Sequence, residues 1–336
     1  MRVVLFIILL FLSASAEAQD SVSGKCVEVS IMTEVNYGRE HGDEDAALVD
    51  FPHLLLCCEA ELGRGWSVVA ELEYERFYED GQWGNDFRAN YTTNKLYLNK
   101  CWNRALNVKA GIVDIPVGTT NAGGPALTIY DPLSESKLMP MTWHEGGMAV
   151  WGSMGRWHYE AGGYFYLTAP LRRSTMLGGA MRVGVQPIDG LDVSASCFVG
   201  SSKEGMVQRQ NPYLASFEHV YHAAVDFSYL AHGWTVDGQM IACSAHGNKS
   251  AGIEAGYDCL NGVVRRRSLA QCSAIVFARF DGYFHVESVS CNKWTLGLNT
   301  TLPLGFTLKA ETAWMNPSTA RHVTRFDVSV GWQGTF

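Results

Sequence analysis

Apolar and polar residues alternate along this chain from one end to the other. Apolar side chains occupy every second position in residues 191–199 and, apart from Thr312, in 306–314, and most of the positions between them are polar. A period of two residues is typical of β-strands with one apolar and one polar face. No long stretch shows the 3.6-residue period of an amphipathic helix. The sequence therefore predicts an all-β protein.

Short turns divide the alternation into sixteen segments. Glycine lies between neighbouring segments at 63–65, 189–190, 232–233 and 303–305, as expected for hairpin turns, because glycine tolerates positive φ. The predicted strands are about 25–37, 51–62, 66–78, 87–101, 105–114, 143–153, 156–168, 174–187, 191–201, 217–231, 234–246, 250–261, 266–281, 292–302, 305–315 and 321–336. Short connections tend to alternate with longer ones, a pattern typical of transmembrane barrels, which have short periplasmic turns and longer extracellular loops.

Composition agrees with a barrel in a membrane. Hydrophobic residues make up 47% of the chain and charged residues 18%, and mean hydropathy is -0.03. After the first 12 residues no apolar run approaches the roughly 20 residues of a spanning helix. A closed sheet is the other structure that pairs every backbone group in lipid. We therefore predict an antiparallel up-and-down transmembrane β-barrel of about sixteen strands, whose lumen is wide enough for water and small solutes.

The two ends carry targeting features of an outer-membrane protein of a Gram-negative bacterium. Arg2, the apolar run Val3–Leu12 and the small residues Ala16 and Ala18 predict a secretory signal cleaved after residue 18, leaving 19–336 as one barrel domain. The last segment stops at Phe336, and a terminal strand ending in an aromatic residue resembles the signal read by the outer-membrane barrel assembly machinery. Net charge is -8 without a basic stripe, which argues against a nucleic-acid partner.

The longest irregular stretch, Ile115–Thr142, is the third of the long loops. Loops of this length in compact proteins are usually functional or disordered, and its apolar residues argue against disorder. We expect it to fold into the barrel and narrow it, with Asp131, Glu135 and Lys137 near the constriction. The alternative is a loop that covers the outer mouth or packs on a neighbouring subunit.

Charged residues at inward-facing positions are mixed in sign, with acids more numerous than bases. Rings of carboxylates favour cations and rings of Arg or Lys favour anions, so composition leans towards cations. The alternative is that these charges only solvate the wall and pair across strands. The predicted lumen wall includes Glu71, Glu73, Glu75, Lys95, Lys109, Arg182, Arg279, Lys309 and Arg325.

Five motifs resemble porins of the phosphate-selective porin O and P type. They are Leu62–Trp66, Glu71–Glu73, Asn94–Tyr97, Ala105–Gly111 and Asp114–Gly118. The detailed match covers about Phe51–Gly152, and the rest is similar only in pattern. The resemblance implies a sixteen-stranded, trimeric outer-membrane channel. Members named for phosphate carry a ladder of Arg and Lys in the lumen, and no such ladder maps residue by residue onto this chain.

The sequence thus predicts a passive porin for ions and small hydrophilic solutes, with the resemblance adding anions such as phosphate. We expect no enzyme activity, cofactor or metal, because neither a nucleophile-elbow motif nor the H-E-x-x-H zinc pattern is present. The nine cysteines show no metal-ligand spacing and read mostly as small wall residues. Two alternatives are a non-conducting barrel that acts as a surface adhesin or polysaccharide binder and, ranked below it, an outer-membrane hydrolase.

Overall fold

The computed structural model describes residues 27–41, 46–79, 82–83, 91–119, 127–130, 138–139, 143–165, 177–201, 219–244, 247–261, 272–284, 290–318 and 322–336. The signal peptide predicted for residues 1–18 lies outside these ranges, as do Asp131, Glu135 and Lys137 of the predicted constriction. The described residues include no helix that is both long and apolar enough to span a membrane.

The prediction of a sixteen-stranded antiparallel barrel is confirmed. Each wall strand pairs with its neighbours in the chain, and β1 pairs with β18 to close the sheet. The wall strands are β1 (Val27–His41), β2 (Ala46–Gly63), β3 (Trp66–Tyr74), β6 (Tyr91–Cys101), β7 (Asn107–Asp114), β8 (His144–Met154), β9 (Trp157–Phe165), β10 (Leu177–Ile188), β11 (Leu191–Ser201), β12 (His219–Ala231), β13 (Trp234–Cys243), β14 (Lys249–Asp258), β15 (Ser273–Phe284), β16 (Cys291–Thr301), β17 (Phe306–Pro317) and β18 (Val323–Thr335).

Two further strands are too short to belong to the wall. They are β4 (Phe77–Glu79) and β5 (Gln82–Trp83), which pair with each other. Strand β4 also pairs with β2, so this small hairpin extends the sheet beyond the end of β3.

The alternation in the sequence separates the two faces of the wall. On β12, Tyr221 and Val225 are exposed at 49% and 58%, whereas His222 and Asp226, each of which directly follows one of them, are buried. Apolar residues therefore lie on the outer face and polar residues face the interior. A soluble barrel has the opposite arrangement, because its apolar face fills the core.

One strand boundary differs from the prediction by seven residues. Strand β14 ends at Asp258 and β15 is described from Ser273, whereas alternation placed its start at 266; positions 266–271 lie outside the described residues. The Asp258 carboxylate accepts hydrogen bonds from the amides of Leu260 and Ala274, both at 3.0 Å. These side-chain bonds replace the strand ladder, so the chain leaves the sheet there.

The C-terminal residue takes part in closure of the barrel. The Phe336 amide donates to the Val29 carbonyl at 2.9 Å, and the Val29 amide donates back at 3.3 Å. The Phe336 ring is 64% exposed and lies 6.4 Å from the Trp332 ring. The terminal aromatic thus sits at the seam between the first and last strands.

Candidate functional site: the lumen and the loop inside it

The segment after β7 enters the barrel interior at once. The Gly118 amide donates to Ser196 Oγ at 3.1 Å, and Arg182 donates to the Gly118 carbonyl at 2.7 Å. The Thr119 amide donates to Gln239 Oε1 at 3.3 Å. These wall residues lie on β10, β11 and β13, so the start of the loop crosses from β7 to the far side of the lumen.

Two wall carboxylates hold the middle of the loop by its backbone. The Leu127 amide donates to Glu254 Oε1 at 3.0 Å and the Ile129 amide donates to Glu311 Oε2 at 2.9 Å. Lys309 donates to the carbonyl of Thr128 at 3.4 Å. Hydrogen bonds to charged groups are stronger than neutral ones, at about 1.5–3 kcal/mol each. Both carboxylates are buried.

Tyr130 ends the second described part of the loop and packs on the last strand. The Arg325 guanidinium lies 3.9 Å from the centre of the Tyr130 ring, a cation–π contact, and also donates to Asp327 at 2.6 Å. Burial raises the pKa of Tyr130 to about 12, although the neighbouring Arg325 acts in the opposite direction. The phenol is therefore neutral at physiological pH.

The loop returns to β8 through an apolar cluster inside the barrel. The Leu138 carbonyl is 2.9 Å from His222 Nε2, which is its hydrogen-bond donor. Trp143 packs edge-on against Phe198 and His222, with ring centres 4.6 and 5.2 Å apart. Other cluster members are Val113, Ile115, Val117, Met139, Tyr164, Ala180, Val220, Ala224, Ile241, Cys243 and Tyr283.

All the wall groups in the loop hydrogen bonds and ring contacts above belong to β10–β18. We call this part of the wall the covered arc and the part formed by β1–β3 and β6–β9 the open arc. Three residues predicted for the lumen wall lie on the covered arc and bind the loop directly. They are Arg182, Lys309 and Arg325.

On the covered arc the carboxylates that pair with arginine are buried. Arg182 forms two hydrogen bonds to the Asp226 carboxylate, one of them 3.0 Å long. Arg279 binds Asp281 at 2.8 Å and Glu254 at 3.3 Å. These arginines therefore serve as anchors of the loop and of its carboxylate partners.

Two lysines of the open arc are also paired, with carboxylates that are more exposed than those paired with arginine on the covered arc. Lys95 lies 3.0 Å from Glu71 and 4.0 Å from Asp114. Lys109 lies 2.8 Å from Glu160. The side chains of these two lysines and of the three carboxylates are between 12% and 20% exposed. Each lysine is therefore neutralised by a neighbouring carboxylate while its side chain still reaches solvent.

A histidine that the sequence reasoning did not single out connects two predicted strands. The ring nitrogens of His53 lie 3.1 Å from Asp50 and 2.8 Å from Glu73. Asn94 donates to Glu73, and ligand atoms of Glu75, Asp50 and His53 lie within 4.8 Å of one another. Sequence missed Asp50 because the predicted strand began one residue later. Both His53 nitrogens already face carboxylates, so an ion pair accounts for this group.

Below the start of the loop the interior is hollow. A cavity of about 320 Å³ lies between Pro116–Thr119 and the wall. Charged side chains line it from both arcs, including Lys109, Glu160, Arg182 and Asp237. A polar cavity of this size accommodates several water molecules.

Solved structures of outer-membrane porins share this fold. OprB from Pseudomonas putida matches with a TM-score of 0.65 and 10% identity, over 92% of this chain and 94% of that one. An anion-selective porin from Comamonas acidovorans matches with a TM-score of 0.61 and 14% identity, over 92% and 99%. OmpF from Salmonella typhi, in complex with daunomycin, matches with a TM-score of 0.61 and 8% identity, over 92% and 97%.

Comparison of sequences finds fewer similar proteins than comparison of structures. No family model matches the chain. A protein from Aquifex aeolicus described only as uncharacterized is 24% identical over 215 residues, which cover 57% of this chain and 48% of that protein. The match spans about half the length of this relative. The chain therefore has the fold of outer-membrane porins.

Proposed function

We propose that the protein is a porin of the bacterial outer membrane, through which ions and small hydrophilic solutes diffuse passively. The observation that carries this proposal is a loop held against one arc of a wide, polar-lined barrel while the other arc keeps its charged side chains exposed to solvent. The structurally similar proteins are also porins.

The narrowest part of the passage, on this proposal, lies where the loop faces the open arc. Residues 131–137 join Tyr130, which packs on β18, to Leu138, which binds β12. Asp131, Glu135 and Lys137 belong to this stretch and are the proposed constriction charges. Glu71, Glu73, Glu75, Lys95 and Lys109 would face them from the open arc.

Location and assembly follow from the same proposal. Residues 1–18 would direct export and be removed, and Phe336 would be read by the barrel assembly machinery before insertion into outer-membrane lipid. A homotrimer is the expected assembly, and an outer-membrane protein of Vibrio cholerae with this fold is described in a trimer form. Catalysis and a cofactor form no part of the proposed mechanism.

Swelling of liposomes that contain the purified protein tests passive diffusion. Neutral sugars of increasing size should enter at decreasing rates, and entry should stop at a size limit set by the constriction. A folded barrel that admits none of them would favour the alternative of an adhesin or polysaccharide binder. Rapid entry of a single sugar alone would indicate a specific binding channel.

Resemblance and wall charge favour opposite ion classes for this channel. Resemblance to phosphate-selective porins implies anions such as phosphate, and one structural neighbour is described as an anion-selective porin. The inward-facing charges of this chain favour cations instead.

A further inference from the structure

Three carboxylates on the open arc are not balanced by any base. Glu28, Glu34 and Glu59 have no ion-pair partner among the described residues, whereas Lys95 and Lys109 of the same arc are each neutralised by acids. The open arc therefore carries a net negative charge on its inner face.

The strand register places these carboxylates on the inner face. Glu59 lies in the row that runs through Val69, Tyr97 and Gly111 to Gly147, and the same row continues to Tyr164 of the apolar cluster inside the barrel.

Glu34 lies on the same face. In the strand register, its cross-strand partner on β2 is His53 and its partner on β18 is Gly331. A Cβ added to Gly331 would lie 3.2 Å from Glu34 Cγ.

Glu28 and Glu59 are direct cross-strand partners. Like charges directly opposite each other on one face of a sheet are destabilising. Both residues are exposed, so water and mobile cations can screen this repulsion. Two carboxylates left together on the inner face present a local excess of negative potential to the water in the pore.

The covered arc does not compensate for this excess. Its inward-facing bases are Arg182, Arg279, Lys293, Lys309 and Arg325, and its inward-facing acids include Asp226, Asp237, Glu254, Asp281, Glu311 and Asp327. The bases are therefore outnumbered, and Arg182, Lys309 and Arg325 also bind the loop. The loop and its apolar cluster separate much of this arc from the open one. Since a low-dielectric wall focuses the field of nearby charges, the open arc sets the potential along the passage.

We propose that the channel passes cations in preference to anions and that Glu28, Glu34 and Glu59 select them. The inference rests on the proposed channel function and names its substrate class: small inorganic cations and cationic solutes. The carboxylates raise the local cation concentration without forming a tight binding site, which is also how acidic side chains favour cations in cation channels.

The reversal potential of the purified full chain in a planar bilayer, measured under a KCl gradient, tests this inference. Salt should be about 0.1 M, because the Debye length is then about 10 Å and wall charges still act across the passage. We expect the reversal potential to have the sign that indicates preferential permeation of K⁺ over Cl⁻. In a triple variant with Glu28→Gln, Glu34→Gln and Glu59→Gln, the K⁺/Cl⁻ permeability ratio should fall by about two-fold or more.

Asp189→Asn is the matched control, because Asp189 is an exposed carboxylate in the turn between β10 and β11. It removes one charge at the end of the covered arc and should leave the ratio unchanged. If the triple variant does not insert, Glu34→Gln alone should shift the ratio in the same direction by a smaller amount.

The inference would be overturned by anion preference in the unchanged protein. It would also be overturned by an unchanged K⁺/Cl⁻ permeability ratio in the triple variant or in Glu34→Gln. Neither result would contradict the proposal that the protein is a porin. A folded protein that never conducts would overturn both. The two failures are therefore distinguishable in one experiment.

Discussion

The two arcs of the wall use the same kinds of residue in opposite ways. On the covered arc the carboxylate side chains of Asp226, Glu254 and Asp327 are each 1% exposed, and each binds an arginine. On the open arc the side chains of Glu71 and Glu160 are 18% and 20% exposed. A buried carboxylate thus binds other parts of the protein, whereas a partly exposed one can also interact with water and ions in the lumen.

The difference follows from the physical chemistry of buried charges. A carboxylate removed from water is stable only when donors satisfy it, and backbone amides of the loop supply those donors at Glu254 and Glu311. The partly exposed carboxylates of the open arc depend less on such donors because water also reaches them.

The largest expected effect comes from breaking the apolar cluster inside the barrel. Trp143 is fully buried against Phe198 and His222. Trp143→Ala should lower the free energy of unfolding by about 3–5 kcal/mol. Urea unfolding in lipid vesicles measures this. Trp157→Ala is the control, because Trp157 is 56% exposed and its loss should cost clearly less. Equal losses would mean that the cluster does not hold the loop.

A smaller effect is expected from removing the two loop anchors. In the double variant Glu254→Ala and Glu311→Ala, the amides of Leu127 and Ile129 lose their acceptors. The loop should then sample several positions, and single-channel currents should become noisier with a broader conductance distribution. The matched pair Glu254→Gln and Glu311→Gln keeps an acceptor oxygen at each site and should stay closer to the unchanged protein. Identical noise in both variants would contradict the anchoring role.

The open arc offers a charge change that leaves the loop in place. Lys95→Met removes the base that neutralises Glu71 and Asp114. We expect the K⁺/Cl⁻ permeability ratio to rise, by less than the triple Gln variant lowers it, since one charge changes instead of three. Lys100→Met serves as the control: Lys100 lies beside Trp66 and Trp102 at the turns. A fall in the ratio for Lys95→Met would show that the arc does not set selectivity.

The seam between the arcs should tolerate loss of its aromatic side chain once the barrel has formed. Phe336→Ala keeps both backbone hydrogen bonds to Val29 and removes only the exposed ring beside Trp332. The expected loss of unfolding free energy in vitro is about 0.5–1.5 kcal/mol. In cells the yield of inserted protein should fall much more, if Phe336 is the assembly signal. Equal yields of variant and unchanged protein in outer-membrane fractions would reject that role.

Sequence reasoning recovered the wall because lipid and water act on every strand alike. Alternation in residues such as 191–199 is a local signal, so strand number and face orientation could be inferred without knowing which strands meet. It misplaced the start of β15 because Asp258 ends the preceding strand by side-chain hydrogen bonds, which the apolar pattern does not record.

The partition of the lumen could not be predicted in this way. Glu254 and Glu71 both appear as inward-facing acids in the sequence, and only the path of the loop makes the first an anchor and leaves the second exposed. His222 gave no signal either, because its partner Leu138 is 84 positions away in the chain. The proposed constriction charges Asp131, Glu135 and Lys137 remain a prediction.

Single-channel conductance of the purified, refolded protein in a planar bilayer tests the central claim most directly. A loop held on one arc beside a passage along the other predicts stable, long-lived open steps of uniform size at low voltage. A barrel that is folded by circular dichroism yet shows no steps would contradict an open passage and would mean that the loop closes the lumen.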